Sequence, residues 1–314
     1  MHLVTGGCGE VGSHVAALLL ARGERVALFD RRDDRATLAR LAGADAAESV
    51  TMVTSDLADT AAFREIVARL APRTIVHLAS LMPPVVEEDA AVALHQVTGA
   101  MVGVLEAARH ARTARLVFAS ATSVFGRPER HGGPDVAVAD DAPHYPESLY
   151  GITKSANERL ARLYRERHGL DVIGLRFCQG YGPGKQRGRP FGSRMFHDAL
   201  AGRATSIPYA DDIVNFQYTG DIADAVVRAM DAPYRGVDVY NTTGIVVTMR
   251  EAMALLARLA PASGFAPNFE PGTAGIVWRY DARAAARDLD LPPPTPIEDG
   301  FAKTLAMIEA WADR

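Results

Sequence analysis

Cysteine is scarce: Cys8 and Cys178 are the only two among 314 residues. Two thiols cannot build a disulfide framework, so the composition points to a reducing compartment. A basic excess is missing as well. Against 34 Lys and Arg stand 38 Asp and Glu, a formal net charge of −4, which offers no field to draw nucleic acid or an anionic membrane. The arginines are scattered, apart from Arg187, Arg189 and Arg194 in one segment. Long apolar runs are absent too. Val15 to Ala21 falls well short of the roughly 20 residues a membrane span needs. The chain opens Met-His-Leu-Val, already strand-like, and leaves no room for a signal peptide. His77 and His95 have no companion ligand cluster, so no metal is expected. What remains is a cytoplasmic globular chain, 48% hydrophobic and 23% charged, an ordinary balance.

Short β-branched runs alternate with helical patterns through the first half. The strands read as His2–Thr5, Arg25–Asp30, Thr51–Asp56, Thr74–Ala79, Arg115–Ser120 and Asp171–Phe177. Between them lie periodicities near 3.6, as at Val11, His14, Val15, Leu18 and Leu19. Such alternation predicts an α/β fold, a doubly wound parallel sheet covered on both faces. From Arg176 the rhythm breaks. Glycine, proline and arginine crowd Gly180–Gly192, a loop by composition and too long for a mere connector. A helix near Ser193–Gly202, a strand at Asn215–Tyr218, a helix at Asp221–Asp231 and a strand at Val237–Asn241 follow. Thr248 and Glu251 form a capping box for a helix to about Leu259. The expected division is 1–175 as a nucleotide-binding domain, with parts of 215–245. A smaller, non-contiguous substrate lobe takes 176–314.

The first strand runs into Thr5-Gly6-Gly7-Cys8-Gly9-Glu10-Val11-Gly12. Gly6, Gly9 and Gly12 allow a tight turn, close backbone approach to a pyrophosphate and close helix packing. The helix that follows aims its free N–H groups at the phosphates. Asp30 ends the second strand, where a carboxylate can hold the adenosine ribose. It would repel a 2′-phosphate, which favours NAD over NADP, although Arg31 and Arg32 follow directly. Asp56 is suited to the adenine amino group. Cys8 has no basic flank and is read as a loop residue.

Tyr150-Gly151-Ile152-Thr153-Lys154 opens a helix that runs to about His168. The i, i+4 spacing puts phenol and ammonium on one face. A free tyrosine titrates at about 10, and a neighbouring cation favours the phenolate. Tyr150 is thereby a candidate base for a substrate hydroxyl.

At these motifs the chain resembles an extended short-chain dehydrogenase/reductase of the NAD-dependent epimerase/dehydratase family, over essentially its whole length. Val76-His77-Leu78-Ala79-Ser80, the stretch from Thr98-Gly99 to Arg109, Ser120 to Gly126, Arg176 to Pro183 and Asn215 to Asp221 resemble further family segments. The resemblance implies a Rossmann fold and a smaller α/β lobe. It implies an NAD site of Gly6, Gly9, Glu10, Val11, Gly12, Asp30, Arg31, Asp56, Leu57, Leu78, Ala79, Ser80, Ala119, Tyr150 and Lys154. It also implies redox chemistry on a sugar carbinol, and a homodimer built on the helices near Asp89–Arg112 and Leu149–His168.

Four positions depart from the family. Its catalytic Ser/Thr position is Ala121, leaving Ser120 or Thr122 to supply the hydroxyl, with Thr122 favoured. Thr122 and Ser123 replace the Asp-Glu of the dehydratases, so water elimination is not expected. Val214 stands where nucleotide-sugar enzymes carry an arginine on the diphosphate. Gln179 and Gln96 replace two asparagines, which remodels the pocket. Thr122, Ser123, Gln179 and Arg187 are the expected substrate residues, with the Arg187–Arg194 segment either binding an anion or facing solvent. Three functions follow in order: oxidation of a sugar-like alcohol such as a sugar acid, nucleotide-sugar epimerisation with retained NAD, and a decayed NAD-binding sensor.

Overall fold

The computed structural model describes residues 1–184, 192 and 194–312. Strands β1 (His2–Thr5), β2 (Val26–Asp30), β3 (Thr51–Thr54), β4 (Thr74–His77), β5 (Arg115–Ala121) and β6 (Val172–Phe177) alternate with helices. β1 and β4 are buried along their whole length, as strands covered on both faces must be. The chain then makes β7 (Gln179–Tyr181), β8 (Thr205–Ile207), β9 (Ile213–Tyr218) and β10 (Val239–Asn241). β10 returns to the main sheet, whose order is β10-β6-β5-β4-β1-β2-β3. Every pairing in it is parallel. This is the doubly wound Rossmann arrangement. Chain order reverses between β1 and β4, and open α/β sheets bind ligands at the carboxyl ends of such strands.

Each face of the sheet has its own core. On one, the helices Glu10–Ala21 and Thr219–Asp231 bury Val15, Leu19, Val226 and Met230 against Val4, Leu28 and Val117. On the other, Thr60–Leu70 and Ala100–His110 bury Phe63, Met101 and Val104 against Leu3, Phe29 and Ile75. The remaining elements form a second cluster. β11 (Ile245–Thr248) pairs antiparallel with β9, and β9 pairs parallel with β7. β12 (Pro267–Phe269) pairs with β8. Helices Arg194–Leu200, Met249–Leu259 and Ile297–Ala312 close a core around Phe196, Phe216, Met253 and Phe301. The capping box at Thr248 and Glu251 is present, each side chain bonding the other's backbone N–H.

The stretch expected as one helix near Asp89–Arg112 is helical from Ala90 to His110, but Leu94–Gly99 is a π-helical turn. By length and composition it is the one helix among the described residues able to cross a membrane. Ala100, Met101, Val104, Leu105, Ala107 and Ala108 on it belong to the core under the sheet. Part of its apolar surface is thus buried in the protein itself, while Leu94 and Val102 stay exposed.

Candidate functional site

The turn after β1 is made of backbone in close contact. Gly6 has φ +68°, and a Cβ there would lie 2.8 Å from the Ala79 amide nitrogen. A Cβ on Gly12 would collide with the Gly6 carbonyl oxygen. These two glycines therefore cannot be replaced without moving the loops that leave β1 and β4. Gly9 caps the first helix and has no side chain to cover the helix N–H groups, which leaves them for an anion. Val11 and Leu78 pack on the adjacent core. Glu10 lies in the first turn and accepts from Thr219 Oγ1, so its carboxylate is tied to the helix Thr219–Asp231.

At the end of β2, Asp30 Oδ2 accepts from the Cys8 amide at 3.2 Å and Oδ1 from the Arg31 amide at 2.8 Å. The carboxylate is thus oriented beside the glycine turn. The Cys8 thiol is pushed up to about 11, chiefly by burial, which agrees with its reading as a loop residue. Asp56 is exposed, with Oδ1 on the Ala58 amide at 2.9 Å, and Leu57 beside it is buried. Ser80 Oγ donates to the Leu81 carbonyl. This glycine cradle and the oriented acid fit a dinucleotide.

The helix that carries Tyr150 and Lys154, Leu149–His168, begins where its sequence dictates. Ser148 has extended dihedrals and accepts from the Gly151 amide at 3.0 Å, and Gly169 ends the helix at φ +63°. Glu87 adds a second cap. Its two carboxylate oxygens accept from the Leu149 and Tyr150 amides at 2.9 and 3.0 Å. Gly151 lets the Ser123 carbonyl approach, since a Cβ would lie 2.6 Å from it.

Lys154 is buried and donates from Nζ to the Ala119 carbonyl at 2.9 Å. Burial lowers its pKa to about 8, and Glu158 opposes that shift. The ammonium lies 5.3 Å from the centre of the Tyr150 ring. Burial raises the Tyr150 phenol rather than lowering it. The lowering expected from Lys154 is not seen; the shift comes from burial against the apolar wall of Val86, Ala93, Val97, Leu81 and Leu149 around the ring. His77 lies buried near Lys154, held to Thr5 Oγ1 at 2.8 Å, and burial drops it to about 3, so it is neutral.

The two candidate hydroxyls differ. Ser120 is buried and gives its proton to Glu158 Oε1. Thr122 opens a short 3-10 turn after β5, with Oγ1 3.4 Å from the Phe177 carbonyl and the Tyr280 phenol beside it. Ser123 Oγ is buried with no hydrogen-bond partner among the described residues. Gln179 opens β7, half-buried. Val214 is buried in the core of the second cluster. Arg187 and Arg189 lie outside the described residues, and Arg194 is exposed and pairs with Asp198. Among the described residues no three His, Cys, Asp or Glu side chains gather as metal ligands. Sequence reasoning missed Glu87, Glu158, Arg176 and Tyr280. Only the i, i+4 step from Lys154 to Glu158 left a local trace.

Known proteins match this arrangement. The family model described as NAD dependent epimerase/dehydratase family covers residues 2–242. A UDP-glucose 4-epimerase of Mycolicibacterium smegmatis is 32% identical over an alignment of 317 positions that covers 96% of this chain and 96% of that one. The solved structure of MoeE5 in complex with UDP-glucuronic acid and NAD is 28% identical with a TM-score of 0.82, covering 98% of this chain and 99% of that one. The UDP-glucose 4-epimerase of Thermus thermophilus, solved as a complex with NAD, is 25% identical with a TM-score of 0.83 over 98% of each chain.

Proposed function

The chain belongs to the NAD-dependent epimerase/dehydratase family, an NAD-dependent enzyme of the extended short-chain dehydrogenase/reductase type, and from that premise we propose that it oxidises a secondary alcohol of a sugar-like substrate. The observation that carries this reading is the catalytic helix. Capped by Ser148 and Glu87, it holds Tyr150 and Lys154 on one face, with Lys154 seated on Ala119 at the carboxyl end of β5. Tyr150 takes the hydroxyl proton of the substrate. Lys154 presents its ammonium to the nicotinamide ribose and, together with the cationic nicotinamide that bound NAD would bring, favours the phenolate that this step requires over the buried neutral phenol. Bound NAD supplies the acceptor for the hydride that leaves the same carbon. Gly6, Gly9 and Gly12 receive the pyrophosphate, and Asp30 the adenosine ribose. Thr122 takes the place of the hydroxyl that Ala121 lacks, with Ser123 and Gln179 on the substrate side.

Val214, without a guanidinium for a diphosphate, favours a smaller or acidic substrate such as a sugar acid. A second reading, nucleotide-sugar epimerisation with NAD retained, is favoured by the 32% identity to a UDP-glucose 4-epimerase. A panel of sugar acids, polyols and UDP-sugars separates the two. Net NADH formation on a free sugar acid supports the first reading. Epimer exchange on a UDP-sugar without NADH release establishes the second, and inertness toward every member contradicts both. We also propose a cytoplasmic homodimer. The two free cysteines support a reducing compartment, and the outer faces of the helical stretches Ala90–His110 and Leu149–His168 support the assembly.

A further inference from the structure

Two consecutive residues of β5 grip two consecutive turns of the catalytic helix. The Ala119 carbonyl accepts from Lys154 Nζ at 2.9 Å, and Ser120 Oγ donates to Glu158 Oε1. Glu158 is buried, one turn beyond Lys154 and two beyond Tyr150. Arg176 on β6 clamps its carboxylate through both oxygens, Nε to Oε1 at 2.9 Å and Nη2 to Oε2 at 2.7 Å. The guanidinium is itself fixed. Its Nη1 donates to the Asp140 carbonyl at 2.9 Å and to Asn241 Oδ1 at 3.0 Å, and its plane lies over the Phe125 ring. His144 closes the ring of contacts, 3.3 Å from Glu158 Oε2 and 2.8 Å from Ser155 Oγ on the same helix. So one buried carboxylate joins the catalytic helix to β5 and β6, and through Arg176 to β10.

We propose that Glu158 is a positioning residue for the Tyr150–Lys154 pair: held by Ser120 and Arg176, it fixes the rotation of the catalytic helix and sets a negative charge one turn behind the buried ammonium. The inference rests on the reading above, in which Lys154 touches the cofactor. The groups facing Lys154 are few. Tyr150 is neutral because burial raises its phenol, and His77 on β4 is neutral because burial drops it to about 3. Glu158 is the group that opposes the burial of Lys154, whose pKa stands at about 8. Beside Glu158, burial lowers His144 below the usual imidazole value. Asp140, pushed up to about 6 by burial, titrates below the window in which Lys154 does. A change above pH 7 is therefore assigned to Lys154.

NADH itself is the probe, followed by fluorescence titration of the full-length protein between pH 6 and 10, with a melting curve for each variant. In the wild type, affinity weakens above about pH 8 as the ammonium is lost, and Lys154→Ala removes that break. A flat wild-type profile contradicts the cofactor contact on which the inference rests. Removing the charge in Glu158→Gln lowers the Lys154 pKa, so the break moves down by about one pH unit. NADH then binds roughly fivefold more weakly at pH 8, where the wild-type ammonium is half protonated and the variant's about a tenth. A break that stays with the wild type, whatever the melting temperature does, overturns the proposal. Should Glu158→Gln fail to fold, Glu158→Asp keeps the charge while pulling the carboxylate back from Ser120 and Arg176. The break should then stay near pH 8 while neutral-pH affinity falls severalfold. Wild-type affinity at neutral pH overturns the positioning role.

Discussion

Asp30 closes β2 with one oxygen on the Cys8 amide and the other on the Arg31 amide. Those two bonds pin the carboxylate at the strand end, so it cannot swing aside for a third phosphate. At contact distance, like charges repel by about 1–4 kcal/mol between bulk water and a protein surface. NADH should therefore bind at least about fivefold more tightly than NADPH in a fluorescence titration. Equal binding would contradict this and point to the exposed Arg31 and Arg32. Asp30, the glycines and the Tyr150–Lys154 pair were legible in the sequence because each motif is local. Glu87 was not. It meets Tyr150 across 63 positions of chain, and no spacing rule reaches that far. The pairing of Arg176 with Glu158, on different elements 18 positions apart, was equally hidden, although Glu158 stands one helical turn from Lys154.

At the scale of elements, the helix Leu149–His168 is secured at its start by a segment far away in sequence. Glu87→Ala leaves the Leu149 and Tyr150 amides without their acceptor. Loss of such a cap typically costs about 1–2 kcal/mol, so the melting temperature should fall by a few degrees. Turnover should fall with it, because Tyr150 stands in the first turn. A calorimetric midpoint and a rate both equal to the wild type would refute the second cap. Strands β1 to β6 were readable from their aliphatic runs between turns. β7, β8 and β12, of three residues each, were too short for a period-2 pattern, whereas the equally short β10 was read from the longer run Val237–Asn241. The four-residue β11 was hidden by the capping box directly after it. The π-helical turn Leu94–Gly99 was invisible for another reason: an extra residue per turn changes hydrogen bonding more than it changes apolar spacing.

For the whole molecule, the two helical stretches proposed to pair across a two-fold axis carry Leu94, Val102 and Ile152 as exposed apolar side chains. Leu105, on the first of these stretches, instead fills the chain's own core. Exposed apolar groups on these two stretches favour burial against a second copy. Light scattering at micromolar concentration should give twice the chain mass, and Val102→Glu with Ile152→Glu should halve it. A monomeric mass for the wild type would contradict the proposed assembly. The active-site reading does not depend on that outcome, because Tyr150, Lys154 and the glycine turn lie within one chain.

The most direct test of that reading is Tyr150→Phe, which keeps the ring among Val86, Ala93 and Val97 but deletes the proton acceptor. Positioned general acid–base groups contribute about 10²–10⁴-fold. On the substrate found by the sugar panel, turnover should fall by at least that factor while NADH affinity stays within about twofold of the wild type. Near-normal turnover in Tyr150→Phe would mean that the proton leaves by another group, with Thr122 the first to examine, and would contradict the assignment of Tyr150 as base.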